Sequence, residues 1–112
     1  MFKPRDPKEL VIDLIPRSVC SVQVAAVIVD PYGIHSWGWN SVGTGFGEHA
    51  EAAAIRRANK KRLKGSTIYV ASVRNRNNKA INSKPCPDCS RLILKWGLTV
   101  IYRDADNHWY QD

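Results

Sequence analysis

Long hydrophobic runs are missing from this 112-residue chain. The longest uninterrupted apolar stretch covers residues 24–29, whereas a membrane-spanning helix needs about 20 apolar residues. The opening residues 1–7 are not followed by the apolar segment that a secretory signal peptide carries. We therefore expect no signal peptide and no membrane partner.

Cysteine is also scarce, with three residues at positions 20, 86 and 89. This low, odd number is not typical of a small disulfide-rich secreted domain. At this length folding buries roughly two-thirds of the unfolded surface, which is enough for a core without disulfides. We expect a single domain over residues 1–112 in the reducing cytoplasm, with Cys86 and Cys89 as thiols or metal ligands.

Acidic residues are depleted in the second part of the chain. The first 48 residues hold four basic and five acidic side chains, and the remaining 64 hold 13 basic and five acidic ones. The net charge of +7 therefore arises entirely after residue 48. Such an excess favours an anionic partner, a nucleotide phosphate or a nucleic acid, although a solvated basic surface explains it equally well.

Hydrophobic periodicity and turn residues predict an alternation of helices and strands. Asp6 can cap a first helix that ends before Pro16. The other predicted elements are strands at 22–29 and 34–40, a helix at 48–64, a strand at 67–73, a helix at 85–96 and a strand at 98–102. This order predicts a layered α/β fold with parallel pairing near the end and a short edge strand from the tail.

Three glycines, Gly43, Gly45 and Gly47, lie in a loop before the helix predicted at 48–64. The loop lacks the Gly-Lys-Ser/Thr ending of a P-loop. Its glycine spacing alone is weak support for phosphate binding.

Two short motifs at predicted helix starts contain metal-ligand residues. They are His49-Ala50-Glu51 and Pro85-Cys86-Pro87-Asp88-Cys89. Cysteines three residues apart on a first helical turn face the same way, and the positive end of the helix dipole favours their thiolates. One imidazole from the neighbouring helix completes the three protein ligands typical of a catalytic zinc ion with an open fourth position. We therefore predict one Zn²⁺ per chain, bound by His49, Cys86 and Cys89.

Glu51 lies two residues after His49, on a different side of the predicted helix. A carboxylate close to a metal but not bound to it is suited to proton transfer, and a water on a thiolate-rich zinc ion needs such a base. Two other interpretations stay open: a redox-active cysteine pair, and a structural zinc site whose fourth ligand is Cys20, His35 or His108. Glu51 argues against the structural site, which has no use for a base.

The HxE motif followed by PCxxC resembles the signature of the zinc-dependent cytidine and deoxycytidylate deaminases. The similarity covers most of the chain, from the hairpin with Gly38-Trp39-Asn40 to the strand at 98–102. It implies a three-layer fold, with helices on both faces of a mixed sheet of four to five strands. It also implies that zinc-bound hydroxide attacks C4 of a cytosine-type base in a free nucleoside or nucleotide, such as deoxycytidylate, with Glu51 moving the protons.

The resemblance further implies a set of substrate contacts. Asn40 matches an asparagine that hydrogen-bonds the sugar, and the backbone N–H of Ala50 would hold the carbonyl oxygen of the base. Lys84 stands at the pocket rim, where many members have an acidic residue, and His108 lies on the loop after the last predicted strand. The chain ends soon after that strand, where the family usually adds a helix and a strand, so we expect a C-terminally shortened fold.

Other partners remain open at this stage. One alternative is a polynucleotide deaminase that acts on single-stranded DNA or RNA, and another is a non-catalytic zinc module that binds nucleic acid. Four basic residues near the Cys86 helix are candidates for phosphate contacts: Arg74, Arg76, Lys79 and Lys84. The four tryptophans are compatible with a homo-oligomer that buries some of them.

Overall fold

The computed structural model of the chain describes residues 5–42 and 47–112, so most of the glycine-rich loop lies outside the described residues. One mixed sheet organises the fold, in the order β2-β1-β3-β5-β6, with β4 paired to β3. The β3–β5 pair is parallel, as predicted, and the other pairs are antiparallel. The strands are β1 (Val22–Asp30), β2 (Gly33–Trp39), β3 (Thr67–Arg74), β4 (Lys79–Ala80), β5 (Thr99–Arg103) and β6 (Trp109–Gln111).

Helices cover both faces of this sheet, which confirms the three-layer α/β fold. Helix α1 (Pro7–Leu14) lies on one face, and α2 (Ala50–Arg57) and α3 (Pro87–Lys95) lie on the other. The central strand β1 shows why the layers form. Its buried side chains alternate, with Ala25 and Val27 in the cluster beneath α1 and with Ala26 and Ile28 in the cluster beneath α2 and α3.

Helix α2 is shorter than the predicted helix at 48–64. It ends at Arg57 because Ala58 is extended, with φ −76° and ψ 155°, and the N–H of Asn59 donates to Nε2 of His35 at 3.0 Å. Asn59 then caps a separate 3-10 turn, Lys60–Arg62. Five alanines, at positions 50, 52, 53, 54 and 58, favour a longer helix. A contact with β2, which no local pattern shows, overrides this helix propensity at Ala58 and Asn59.

Close packing against β2 fixes the position of α2. A Cβ atom on Gly38 would lie 2.6 Å from the backbone nitrogen of Ala54 and 2.7 Å from Cβ of Ala53. The hydroxyl of Ser36 donates to the carbonyl oxygen of Ala54 at 2.7 Å. Small residues on both elements therefore bring the helix onto the sheet, as the alanine-rich face predicts.

The sheet gains two short strands. The tail forms the predicted edge strand, β6, which pairs with β5. Strand β4 lies between the strand predicted at 67–73 and the helix predicted at 85–96, where no strand was predicted, and it forms because Asn78 adopts a left-handed backbone, with φ 57°, and reverses the chain. The described sheet thus has six strands where four to five were expected.

Two expectations about partners concern the surface of the fold. None of the helices in the described ranges is long and apolar enough to cross a membrane. Trp37 is 44% exposed on the edge strand β2, and the other three tryptophans are partly buried within the chain. The homo-oligomer therefore stays a prediction that rests on Trp37.

Candidate functional site

The N-termini of α2 and α3 meet at the two predicted motifs. His49 is the N-cap residue of α2 and Cys86 is the N-cap residue of α3, both with extended backbone. The sequence analysis placed both residues inside their helices, which is wrong by one or two positions. Cys86 precedes a proline, Pro87, whose ring disfavours the helical conformation for the residue before it. Cys89 then lies on the first turn of α3 and is 4% exposed.

The side chains of these three residues converge on one point. Nδ1 of His49 lies 3.2 Å from Sγ of Cys89 and 3.6 Å from Sγ of Cys86, and all three ligand atoms lie within 4.8 Å of one another. Zinc bonds of the usual length put a nitrogen and a sulfur ligand of one ion about 3.6 Å apart. The spacing and the donor types therefore fit one zinc ion, with Nδ1 as the ligand nitrogen of His49.

No fourth protein ligand joins this cluster within the part of the chain that the structure describes. Cys20, His35 and His108, the three candidates, do not belong to it, and Nε2 of His35 already accepts a hydrogen bond from Asn59. All three cysteines are free thiols. Three ligands leave one coordination position for a water molecule or a substrate, which favours a catalytic over a structural site.

Glu51 reaches the same cavity although it lies only two residues after His49. Because His49 precedes the helix rather than lying on its first turn, the two side chains do not diverge as helical residues would. Glu51 is 5% exposed, and this burial raises the pKa of its carboxyl group, while its own backbone N–H, His49 and the Cys89 thiol partly offset the shift. The site thus holds a buried carboxyl group beside the three ligands.

Burial raises the pKa of the Cys89 thiol, and the negative charge of Glu51 raises it further. A bound zinc ion has the opposite effect, because it stabilises a thiolate directly. The Cys89 thiol therefore becomes a thiolate, the form that binds a metal, only when the zinc ion is bound.

A cavity of about 190 Å³ opens beside the ligands. Three of the four predicted substrate-binding residues, Asn40, Ala50 and Lys84, line it. His108 does not, which corrects that prediction. It is exposed on the turn between β5 and β6, where the side chain of Asp104 accepts the N–H of His108 at 2.9 Å and holds the turn.

Asn40 is mostly engaged within the protein. Its side-chain oxygen accepts from the Ser18 hydroxyl at 2.6 Å and from the N–H of Val24 at 2.9 Å, and its Nδ2 donates to the carbonyl oxygen of Val22 at 2.8 Å. One amide N–H remains for a ligand. Asn40 therefore ties the chain before β1 to the cavity wall and offers a substrate a single donor.

Ala50 and Lys84 present different groups to the cavity. Ala50 is fully buried, and its backbone N–H has no hydrogen-bond partner among the described residues. The backbone of Lys84 donates to the side chain of Asn82 at 2.9 Å, and its Nζ lies 4.0 Å from a carboxylate oxygen of Asp112. The cavity thus has in its wall a donor without a partner among the described residues, and a cation at its rim.

Two serines of the wall were missed by the sequence analysis. The hydroxyls of Ser72, on β3, and Ser83 lie 2.7 Å apart in a buried hydrogen bond, and both residues line the cavity. The signal for Ser72 was the period of two along β3, which puts it on the same face as the buried Val70. Ser83 begins the stretch at 83–89 that resembles the deaminase signature, but no role was predicted for it.

Comparisons with known proteins place the chain in a family. The family model for the cytidine and deoxycytidylate deaminase zinc-binding region matches residues 9–103. A search among curated proteins finds no significant match.

Solved structures share the fold. The apo dCMP deaminase from the cyanophage S-TIM5 is similar with a TM-score of 0.67 and 24% identity, over 88% of this chain and 79% of that one. For the cytidine deaminase from Burkholderia pseudomallei the TM-score is 0.71 at 16% identity, over 93% and 87%. For that from Mycobacterium leprae it is 0.62 at 14% identity, over 93% and 88%. The family match, which covers most of the chain, shows that it belongs to the cytidine and deoxycytidylate deaminase family of zinc-binding proteins.

Proposed function

We propose that this protein catalyses the hydrolytic deamination of a cytosine-type base in a free nucleoside or nucleotide, such as deoxycytidylate. Water replaces the amino group on C4, and the products are a uracil-type base and ammonia. The observation that carries this proposal is that His49, Cys86 and the buried Glu51 line one cavity, and that the ligand atoms of His49, Cys86 and Cys89 lie within 4.8 Å of one another at its edge. The family match and the names of the structurally similar enzymes support the choice of substrate.

The side chains of His49, Cys86 and Cys89 would hold the metal beside the cavity. When bound, zinc supplies a Lewis acid that makes a water molecule a better nucleophile. Thiolate ligands donate negative charge to the metal, so the acidity that zinc confers is moderate and a separate base is needed. Glu51 is the carboxylate in position to be that base.

Glu51 accepts a proton from the attacking water and delivers protons to the ring nitrogen and then to the departing amino group. Within the described ranges no lysine or arginine forms a salt bridge with it, so its carboxylate is available for proton transfer. Every proton that leaves the water thus ends on the products, and the residue returns to its initial state.

The wall residues orient the base. The backbone N–H of Ala50 donates to the carbonyl oxygen of the ring, and the remaining amide N–H of Asn40 donates to the sugar. Lys84 lies at the rim and faces the solvent side of the substrate. These contacts leave C4 of the base directed towards the metal ligands.

The Glu51→Gln variant tests the proposal. We expect it to keep its zinc, because Glu51 is not a ligand, and to lose about 10²- to 10⁴-fold in the rate of ammonia release, the usual contribution of a general acid–base group. Substrates to compare are cytosine, cytidine, deoxycytidine, their monophosphates, and single-stranded DNA and RNA. Glu48→Gln is the matched control, since Glu48 pairs with Arg56 at 2.8 Å outside the cavity. Ammonia release by Glu51→Gln at the parent rate would contradict the assignment.

A polynucleotide deaminase is the second candidate, favoured by the exposed basic side chains of Arg74, Arg76 and Lys84 near the cavity. Release of ammonia from single strands, with binding that weakens steeply as salt rises, would support it. Turnover of mononucleosides alone would exclude it.

A further inference from the structure

A second depression adjoins the cavity. It has a volume of about 550 Å³ and is lined by Ser21, Val22, Arg74, Asn75 and Arg76. Val22 also lines the cavity, so one side chain separates the two spaces. We call this depression the arginine groove.

The pairing of β1 with β3 sets the distance between the two spaces. Val24 is opposite Ser72 in the cavity wall, and Val22 is opposite Arg74 at the next position on the same face. Two residues along a strand span about 7 Å and return to the same face. The arginine groove therefore continues the cavity wall along β1 and β3. The position of Arg74 lies about 7 Å from that of Ser72 in the cavity wall, which is about the length of a sugar.

The two arginines are carried by a well-anchored turn. The carbonyl oxygen of Arg74 accepts the N–H groups of Asn77 at 3.3 Å and Asn78 at 2.8 Å, and this closes the turn into β4. The backbone N–H of Asn75 donates to the carbonyl oxygen of Ser21 at 2.8 Å. The turn thus lies against the chain before β1, and Arg74 and Arg76 are held beside the groove.

The charge in this groove is uncompensated. Neither Arg74 nor Arg76 forms a salt bridge or a side-chain hydrogen bond within the described ranges. Several other arginines do pair with carboxylates: Arg5 with Asp13, Arg56 with Glu48, Arg62 with Asp30 and Arg91 with Asp88. A guanidinium group binds phosphate through two parallel hydrogen bonds, so two unpaired ones suit an anion of that shape.

We infer that Arg74 and Arg76 bind a phosphate group attached to the sugar of the base in the cavity, and that they select phosphorylated substrates over nucleosides. This inference rests on the proposed function. The phosphate belongs either to a mononucleotide or to the phosphodiester of a single strand, which present the same chemistry to the groove.

The experiment compares kcat/KM for deoxycytidine, deoxycytidine 5′-monophosphate and a single-stranded oligonucleotide with one cytosine. For Arg74→Gln/Arg76→Gln we expect a loss of about 10- to 100-fold on the phosphorylated substrate, mainly in KM, as for a lost charged hydrogen bond. The value for deoxycytidine stays unchanged. Lys61→Gln/Lys64→Gln removes the same charge from exposed residues that line neither the cavity nor the groove, and it serves as the control. Whichever phosphorylated compound shows the loss identifies the source of the phosphate.

Binding measurements separate the failure of this inference from the failure of the proposed function. In zinc-loaded Glu51→Gln protein, the monophosphate should bind more tightly than deoxycytidine, and the double arginine substitution should remove that difference. That binding result, together with no ammonia release by the zinc-loaded parent protein on any of the three substrates, would overturn the deaminase proposal and leave the phosphate site standing. Equal losses on deoxycytidine and its monophosphate, or no loss on either phosphorylated compound, would overturn the phosphate site. Arg76→Gln alone, which leaves the β3–β4 pair untouched, provides the same test if the double variant unfolds.

Discussion

Replacing Gly38 with alanine should weaken both the fold and the metal site through one contact. The added Cβ atom would lie 2.6 Å from the nitrogen of Ala54, 2.7 Å from Cβ of Ala53 and 2.9 Å from the carbonyl carbon of Ala53. Ordinary contacts of a Cβ atom begin near 3.4 Å. Two of the three atoms belong to the backbone of α2, so the whole helix must move outwards by about 0.8 Å, the difference between the observed and the ordinary contact.

The magnitude follows from the rigidity of that helix. Overpacking of a filled core costs about 1–3 kcal/mol, and we expect the upper end because a backbone cannot change rotamer. A loss of about 3 kcal/mol lowers the Tm of a domain of this size by at least roughly 10 °C. The movement also carries His49 away from Cys89, whereas metal–ligand distances tolerate about 0.2 Å, so zinc affinity should fall with stability.

Urea unfolding of the zinc-loaded and chelator-treated forms measures the first effect, and a zinc titration measures the second. Gly38→Ala/Ala53→Gly is the matched control, because it removes the Cβ–Cβ contact and leaves both backbone contacts in place. It should therefore recover only a minor part of the loss. An unchanged urea midpoint and zinc affinity in Gly38→Ala would show that α2 shifts freely, and the packing argument would be refuted.

Two further predictions concern His35 and the metal. Burial lowers the pKa of His35, Arg62 and Lys60 lower it further, and Asp30 partly opposes them. The His35 ring must be neutral to accept the Asn59 N–H. Its contribution to the free energy of unfolding is therefore complete above about pH 6.5, the pKa of histidine in an unfolded chain, and is lost as the pH falls below that value. Urea midpoints between pH 7.5 and 5.5 should fall more for the parent than for His35→Gln, which keeps an acceptor but does not titrate; parallel curves would contradict the role of His35. Removal of zinc by a chelator should abolish ammonia release and lower the Tm, because zinc stabilises only the state that assembles its ligands. His49→Ala should behave like the zinc-free protein and His108→Ala like the parent, and a Tm insensitive to the chelator would argue against the site.

Local chemistry in the sequence predicted most of the elements and the group of three side chains that is positioned for a metal ion. Asp6 and Pro7 start α1, the Val- and Ile-rich run at 22–29 forms β1, and the two motifs at residues 49 and 86 meet as expected. These predictions depend on caps, periodicity and ligand type, which are properties of neighbouring residues.

The features that depend on distant contacts were not predictable in the same way. Helix α2 ends early because of His35, which is 24 residues away along the chain from its partner Asn59. Arg74 was predicted to lie near the site, but the groove that it lines depends on the register of β3 against β1, and a shift of one residue would turn Arg74 to the opposite face. His108 has a residue type suited to a site, but it does not line this cavity.

The parallel pairing of β3 with β5 has a consequence for the order of folding. Cys86, the N-cap residue of α3, and Cys89, on its first turn, lie in the connection that links these parallel strands, while His49 precedes α2 on the other side of β3 in the chain. Parallel strands joined by such a connection form slowly, because the loop must close before its contacts stabilise it. We therefore expect the β1–β2 hairpin to form before the metal-binding residues come together. Tight zinc binding would then indicate that the β3–α3–β5 connection has folded. Without zinc, we expect the β3–α3–β5 connection to be the least folded part of the chain and the first part that a protease cleaves.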